Sequence, residues 1–296
     1  MKKMVLFFSA MLMSSVSFAE GRSVLYSEWF KSQPKHVQEA LTDDQVVVTT
    51  AEKAEEIVGN RHELRLDSTG YQSNVPTGDG GQLLVLYKSR VSQKWTVIAI
   101  MEGMNRYDYQ DGRIGAGAIY HMDKKALRVE ITEAGRNTLF PARTAEAEYV
   151  TPLTDKLVGY ASFRYSDYQQ ADVVNYLASL AAEYYVSGKD MLYLRVFLSR
   201  DNFANAKDAN SATGMIKYVR FITDDNRVWV YYANSVEHYA HSYDSGVGQL
   251  KGNTYGIGGS YKISKNWYVE TNLEYQDRRN SDTKNYVVMF SIIRRW

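Results

Sequence analysis

Two histidines three residues apart form the cluster in the sequence whose residue types could best support catalysis or metal binding. His238 and His241 lie in a polar stretch with Glu237 and Asp244 nearby. Imidazole side chains bind metals, and they also act as bases for hydroxyl nucleophiles. This spacing suits one face of a helix, whereas the surrounding sequence is typical of a loop. We therefore interpret the histidines as ordinary loop residues and predict neither a metal nor a cofactor.

Pairs of carboxylates are a second set that could do chemistry. Glu146 and Glu148 are two residues apart, Glu270 and Glu274 are four apart, and such pairs can perform acid–base catalysis. Arginines in other segments offer a simpler interpretation, in which the carboxylates form ion pairs. The sequence contains no phosphate-binding glycine loop, zinc-ligand spacing or calcium loop. We therefore expect a protein that is not an enzyme.

The composition narrows the class of protein. The chain has 35 basic and 34 acidic residues, so its formal charge of +1 provides no large field to attract nucleic acid. It has no cysteine and 24 tyrosines, and a tyrosine combines an apolar ring with a polar tip that suits a membrane interface. The mean hydropathy of −0.41 argues against a helical membrane protein. It is compatible with a β-barrel, in which only alternate residues face lipid.

The chain divides into three parts. Residues 1–19 combine Lys2 and Lys3 with a short apolar run and a small-residue site ending at Ala19, which is typical of a secretory signal peptide. Residues 20–60 contain partly helical patterns and are interpreted as a short periplasmic extension, or alternatively as a plug inside a barrel. Residues 61–296 are a series of strand-like segments separated by polar turns.

The third part is predicted to be all-β, an antiparallel up-and-down transmembrane β-barrel of about fourteen strands. Twelve strands remain an alternative if the first pair belongs to the extension. Short turns alternate with longer polar connections, as expected for periplasmic turns and outer loops. The predicted spans are 61–72, 80–90, 93–105, 112–122, 124–133, 142–151, 156–167, 171–187, 189–200, 212–223, 226–236, 250–263, 265–278 and 284–296.

Alternation assigns the two faces of each strand. An arginine or lysine facing the middle of the bilayer costs about 2–4 kcal/mol, so charged residues are assigned to the lumen. Acidic and basic groups are mixed there, which predicts an ion-paired lumen without strong ion selectivity. The predicted lumen-facing residues are Arg128, Glu130, Glu146, Glu148, Arg164, Glu183, Arg195, Arg220, Glu270 and Glu274.

Other inward positions add detail. Several aromatic residues are also assigned to the inner face, where they would suit a saccharide path or simply fill space; they are Tyr160, Tyr185, Tyr193, Phe197 and Tyr268. Residues 83–87 lack alternation, which suggests packing on both faces by a plug or a neighbouring protein. Glycines within strands, such as Gly115 and Gly258, are attributed to curvature of the barrel.

The final strand resembles the assembly signal of outer-membrane barrels. Phe290 and Ile292 share the parity of the terminal aromatic residue Trp296, and these three are the predicted recognition residues for the β-barrel assembly machinery. Arg294 has the same parity, but near the membrane edge a lipid-facing charge costs only about 0–1 kcal/mol. Together with the export signal, this strand predicts a location in the outer membrane of a bacterium.

The C-terminal two-thirds is similar to the YaiO family of outer-membrane β-barrel proteins. The similarity lies in Gly159-Tyr-Ala-Ser-Phe-Arg-Tyr-Ser-Asp-Tyr168, in Tyr255-Gly-Ile-Gly-Gly-Ser-Tyr261 followed by Trp267, and in the terminal Arg294-Arg-Trp296. The resemblance implies location and architecture and supplies no catalytic residues. It favours a non-enzymatic pore or envelope component, with outer-membrane lipid, lipopolysaccharide and a saccharide as partners. The alternatives are a barrel enzyme acting on envelope lipid or glycan through His238 and His241, and a surface adhesion or phage-attachment protein.

Overall fold

A computed structural model describes residues 62–74, 79–106, 108–204, 207–236, 251–278 and 283–296. The predicted signal peptide, the extension and the histidine cluster lie outside these ranges. The strands are β1 His62–Ser73, β2 Gly80–Arg90, β3 Trp95–Arg106, β4 Tyr109–Met122, β5 Lys125–Ala134, β6 Arg143–Thr154, β7 Leu157–Tyr168, β8 Val173–Tyr185, β9 Asp190–Phe203, β10 Ala209–Phe221, β11 Arg227–Val236, β12 Lys251–Ser264, β13 Trp267–Arg278 and β14 Thr283–Arg295. No helix among the described residues has the length and apolar character needed to cross a membrane.

The fourteen strands form a closed antiparallel barrel. Each strand pairs with its neighbours in sequence, and β1 pairs with β14 to close the sheet. The seam extends to the ends of the two strands, where the amides of His62 and Trp296 each donate to the carbonyl of the other residue, at 2.9 and 3.0 Å. The predicted up-and-down barrel is therefore confirmed, with fourteen strands rather than the alternative of twelve.

The connections separate two ends of the barrel. Six short turns, at 91–94, 123–124, 155–156, 186–189, 222–226 and 265–266, lie at the end that also carries His62 and Trp296, which we call the turn end. The opposite loop end carries the remaining connections, including residues 135–142. Three connections depart from the expected alternation, because residues 107–108, 169–172 and 279–282 at the loop end are no longer than the four-residue turns at the other end.

Alternate residues form an apolar outer surface. Its most exposed members include Leu66, Leu83, Ile114, Ile131, Leu180, Leu198 and Ile257. Near the loop end, the rings of Tyr232, Tyr255, Tyr275 and Tyr286 form a row across β11–β14, with centroids 5.3, 6.4 and 5.4 Å apart. At the turn end, Trp95 packs against Tyr120 at 4.7 Å. An apolar band between two aromatic belts is the outer surface that a barrel presents to a bilayer.

Glycines inside strands provide space for side chains of the neighbouring strands. A Cβ atom at Gly258 would lie 2.5 Å from the Thr271 carbonyl oxygen and 2.6 Å from the Trp229 ring. A Cβ at Gly117 would lie 2.6 Å from the side chain of Glu130. These contacts show that neighbouring atoms approach both glycines closely, which no larger residue would allow without a shift.

Candidate functional site: the barrel lumen

The structure places all but one of the predicted lumen residues on the inner face. Inner and outer positions are distinguished by strand parity, by burial and by bonds that reach across neighbouring strands. The inner residues are Arg128, Glu130, Glu146, Glu148, Arg164, Glu183, Arg195, Glu270 and Glu274. The inner face of the barrel therefore carries both positive and negative charges.

Arg195 on β9 organises a polar cluster that spans four strands. Its Nη2 atom donates to Glu148 Oε2 on β6 at 3.4 Å, and to the hydroxyls of Ser162 on β7 and Ser179 on β8 at 3.0 and 2.7 Å. The guanidinium carbon also lies 4.8 Å from the centre of the Phe197 ring. Several donor bonds to fixed partners hold the planar guanidinium in one orientation on the inner wall.

A second charged set lies on β5–β7. Glu130 and Glu146 are directly opposite each other in the sheet, a pairing of like charges that is unfavourable alone. Arg128 donates from Nε to Glu130 Oε1 at 2.7 Å, and Arg164 is the cross-strand partner of Glu146. The two arginines therefore balance the two carboxylates, and the set extends the mixed charge of the inner wall.

A third set joins the seam of the barrel, and its members Arg65, Asp67 and Arg227 were not predicted, whereas Glu270 was. Arg65 on β1 is 1% exposed, pairs with Asp67, and donates to Glu270 Oε2 and Ser291 Oγ at 3.3 and 3.0 Å. Arg227 reaches the other oxygen of Glu270 at 3.3 Å. The signal was present in the sequence, because charged residues alternate with leucines at the start of β1. Applying the parity argument to this strand would have identified Arg65 and Asp67.

Glu274 belongs to an aromatic and amide group on β11 and β13. It accepts hydrogen bonds from the hydroxyl of Tyr231 and from the amides of Asn272 and Gln276, the last two at 3.2 and 3.1 Å. The indole of Trp229 donates to Asn272 Oδ1 at 3.0 Å. The hydrogen bonds of the Trp229 indole and the Tyr231 hydroxyl thus hold both rings in place on the inner face.

The prediction for Arg220 is wrong. Arg220 lies on the outer face at the turn end of β10, with Lys217 and Val219 of the same strand facing inward. Nη1 of Arg220 binds both oxygens of Asp190 at 2.8 and 2.9 Å, and Tyr218 donates to the same carboxylate at 2.5 Å. Both faces of this strand carry apolar residues, so the alternation of residue types distinguishes its inner face from its outer face only weakly. A neutralising partner near the membrane edge makes the outward charge tolerable.

Apolar residues occupy much of the remaining inner face. On β6–β11 the buried residues Tyr160, Tyr185, Tyr193 and Trp229 pack with valines and a methionine, and Lys217 Nζ lies 4.3 Å from the centre of the Trp229 ring. On β2–β5 a second cluster, which we call the apolar inner wall, consists of Leu84, Leu86, Ile98, Ile119 and Ala126. This second cluster explains the missing alternation of residues 83–87, because Leu84 and Leu86 are apolar residues that face inward.

The connection 135–142 folds against the inner wall at the loop end. Its residues Leu139 and Phe140 are buried against Met104 of β3. Asp111 of β4 anchors the backbone: Oδ2 accepts from the amides of residues 138, 139 and 140 at 2.8, 3.0 and 3.1 Å. The guanidinium carbon of Arg113 lies 4.7 Å from the centre of the Phe140 ring. This inward loop was not predicted, although an apolar Leu-Phe-Pro sequence in a surface connection was an available signal.

His62 and His121, the histidines that the structure describes, contact side chains of neighbouring strands. His62 Nδ1 is 2.8 Å from the Tyr87 hydroxyl, and its ring stacks on Trp296 at 5.5 Å. Nε2 of His121 is 3.0 Å from the hydroxyl of Thr96. Within the ranges that the structure describes, no group of three or more histidine, aspartate or glutamate side chains is arranged to hold a metal ion.

The closed barrel, the apolar outer band and the polar lumen define an outer-membrane β-barrel protein. No protein-family model and no curated protein matches the chain. The fold is similar to that of solved outer-membrane proteins. A bacterial polysaccharide outer membrane secretin aligns with a TM-score of 0.55 at 12% identity, covering 80% of this chain and 99% of that chain. The CymD monoaromatic hydrocarbon channel aligns with a TM-score of 0.51 at 10% identity, and the alignment covers 80% of this chain and 89% of that chain.

Proposed function

We propose that the protein is a non-enzymatic pore or envelope component through which saccharides pass. The observation that carries this proposal is the Arg195 cluster, in which a fixed guanidinium, a carboxylate and two hydroxyls lie beside Phe197. Sugar hydroxyls both donate and accept hydrogen bonds, and they meet both kinds of partner here. The apolar face of a sugar ring can pack on an aromatic side chain, while the polar groups bind its edge.

The balance of charge in the lumen supports an uncharged or weakly charged cargo. Arg195 faces Glu148, Arg128 binds Glu130, and Arg65 and Arg227 share Glu270, so neither sign dominates the wall. We therefore expect weak selectivity between cations and anions. A solved barrel of similar fold is described as a polysaccharide outer membrane secretin, which agrees with a saccharide cargo.

We also propose that the barrel is of the YaiO type and is assembled by the β-barrel assembly machinery. The first proposal is supported by residues 159–168, by residues 255–261 and by the terminal Arg294-Arg-Trp296. The second is supported by Phe290, Ile292 and Trp296, which lie on the outer face of the closing strand. Outer-membrane lipid, including lipopolysaccharide, is the proposed partner of the aromatic belts.

Ion conductance in a planar bilayer, measured with and without added oligosaccharides, tests the proposed function. We expect small ohmic steps with weak ion selectivity, and brief interruptions of current when an oligosaccharide enters the lumen. Arg195→Ala should shorten these interruptions at least threefold, because it removes the central donor of the cluster.

Arg200→Ala is the matched control, since Arg200 lies on the outer face of the same strand and pairs with Asp208 at 2.8 Å. It should leave the interruptions unchanged. A barrel that conducts no ions, or one whose current is indifferent to every oligosaccharide tested, would contradict the proposed function.

A further inference from the structure

Lysines recur at the turn end of the barrel. Five of the six short turns there contain one, and it stands within two residues of the start of the following strand. Adjacent hairpins are two strands apart, and strands lie about 4.8 Å from one another, so consecutive turns on this rim are roughly 10 Å apart. The fold therefore gathers lysines that are distant in sequence into a ring. We call them the turn-end lysines, and they are Lys94, Lys124, Lys156, Lys189 and Lys265.

The positive charge of this ring has few partners within the protein. Among the residues that the structure describes, no carboxylate forms an ion pair with a turn-end lysine, although Asp225 pairs with Lys262 at 3.3 Å on the same rim. Asp123 and Asp155 precede two of these lysines in sequence, but the exposed Lys125 adds further positive charge. Charges roughly 10 Å apart are only partly screened, because the Debye length is about 8 Å at physiological ionic strength. The ring therefore attracts anions from outside the protein.

Outward aliphatic residues accompany most of the turn-end lysines. Val91, Leu153 and Val186 each stand three residues before one of them, and Ile263 stands two residues before Lys265. The four aliphatic side chains lie on the outer face and are between 48% and 64% exposed. A lysine whose stem follows apolar surface while its ammonium group reaches the headgroups is favoured at membrane interfaces. The rim therefore suits a membrane surface better than a soluble anionic protein.

The position of the ring in the membrane indicates which lipids it meets. Outer-membrane barrels place their short turns on the periplasmic side, so the ring lies at the level of the phospholipid headgroups of that leaflet. Basic residues beside a membrane surface bind anionic lipids, and each strengthens the attraction roughly fivefold. We propose that the turn-end lysines bind the phosphate groups of anionic phospholipids in the periplasmic leaflet and so hold the barrel at a fixed depth. This partner is additional to the proposed cargo, and its binding does not require an open lumen.

Fluorescence quenching by brominated lipids tests this proposal in the full chain. Trp95 directly follows Lys94 and Trp267 follows Lys265 by two residues, and both rings are exposed on the outer face at 46% and 40%. The protein is folded into phosphatidylcholine vesicles that contain equal minor fractions of either brominated phosphatidylglycerol or brominated phosphatidylcholine. Comparing the two lipids at the same content cancels the signal of tryptophans that no lipid reaches. The anionic lipid should be preferred at least threefold.

Charge-neutral variants should abolish this preference. Replacing all five turn-end lysines by glutamine should bring the preference close to one, and replacing all five by arginine should retain it, because arginine keeps the charge. Heat-modifiable mobility on gels confirms that both variants are folded. Added sodium chloride should weaken the preference of the native protein by screening. Inorganic phosphate at constant ionic strength should leave it unchanged, and its loss would assign the lysines to free phosphate and overturn the proposal.

Two lysines at the loop end provide a matched control. Lys207 and Lys284 are exposed and, within the described part of the chain, have no ion-pair partner. Lys94→Gln combined with Lys265→Gln should lower the preference at least twofold, whereas Lys207→Gln combined with Lys284→Gln, with the same change of charge, should leave it unchanged. Equal effects of the two pairs, or a native protein without preference for the anionic lipid, would overturn the proposal. A barrel that conducts no ions would reject the proposed function and leave this result standing.

Discussion

At the scale of single residues, the inner wall depends on side chains held by several strands at once. Arg195 is the clearest example, because it binds side chains on three other strands. The sequence predicted its direction from the alternation of β9. Its partners could not be predicted, because the register that brings Glu148, Ser162 and Ser179 to one height is set by the whole barrel.

Arg195→Ala should lower the free energy of unfolding by about 2–3 kcal/mol, since hydrogen bonds to a buried charged group are lost. Urea unfolding in lipid vesicles, followed by tryptophan fluorescence, measures this loss. Arg200→Ala should change the value by no more than about 1 kcal/mol, because its pair with Asp208 is exposed. Equal effects of the two variants would contradict the description of the cluster.

Gly258 provides a prediction about packing. Gly258→Ala should destabilise the barrel by about 1–3 kcal/mol, because its Cβ would clash with the Thr271 carbonyl and with Trp229, whose indole is bonded to Asn272. The control is Gly103→Ala, where the nearest atom to the added Cβ is 4.0 Å away. The same urea titration compares the two variants, and a Gly258→Ala barrel as stable as the control would show that the ring moves aside without cost.

At the scale of elements, the inward connection 135–142 depends on a carboxylate outside it. Asp111→Ala removes the acceptor for three successive backbone amides, at a cost of at least about 2 kcal/mol for this segment. The connection should leave the wall, and trypsin should then cleave the folded barrel after Arg136 at least tenfold faster. Asp208→Ala, in a different connection, should leave that site resistant, and equal cleavage in both variants would reject the anchoring role.

The closing strand provides a second prediction at this scale. Trp296→Ala should reduce the amount of assembled protein in the outer membrane severalfold, because it removes the terminal aromatic residue of the proposed assembly signal together with its packing on His62. Trp95→Ala is the control, as Trp95 is also an outward aromatic at the turn end and packs on Tyr120. Heat-modifiable mobility on gels measures the folded fraction. Equal losses in the two variants would indicate a general interfacial effect.

At the scale of the whole molecule, most of the fold could be predicted because a membrane imposes a simple rule. Lipid excludes charge, so alternation along strands such as β5 and β9 fixes which face is outside. The rule weakens at the membrane edges, where Arg220 and Arg294 are stabilised by Asp190 and by the rings of Trp267 and Trp296. It also fails for the apolar inner wall and the connection 135–142, because both depend on contacts distant in sequence.

The central claim is that this barrel encloses a path for ions and saccharides that the Arg195 cluster lines. Single-channel conductance of the native protein and of Arg195→Ala, recorded with and without oligosaccharides, tests this claim most directly. We expect small ohmic steps with weak ion selectivity that oligosaccharides briefly interrupt, and interruptions at least threefold shorter in Arg195→Ala. A barrel that conducts no ions, or interruptions of equal length in the two proteins, would contradict it.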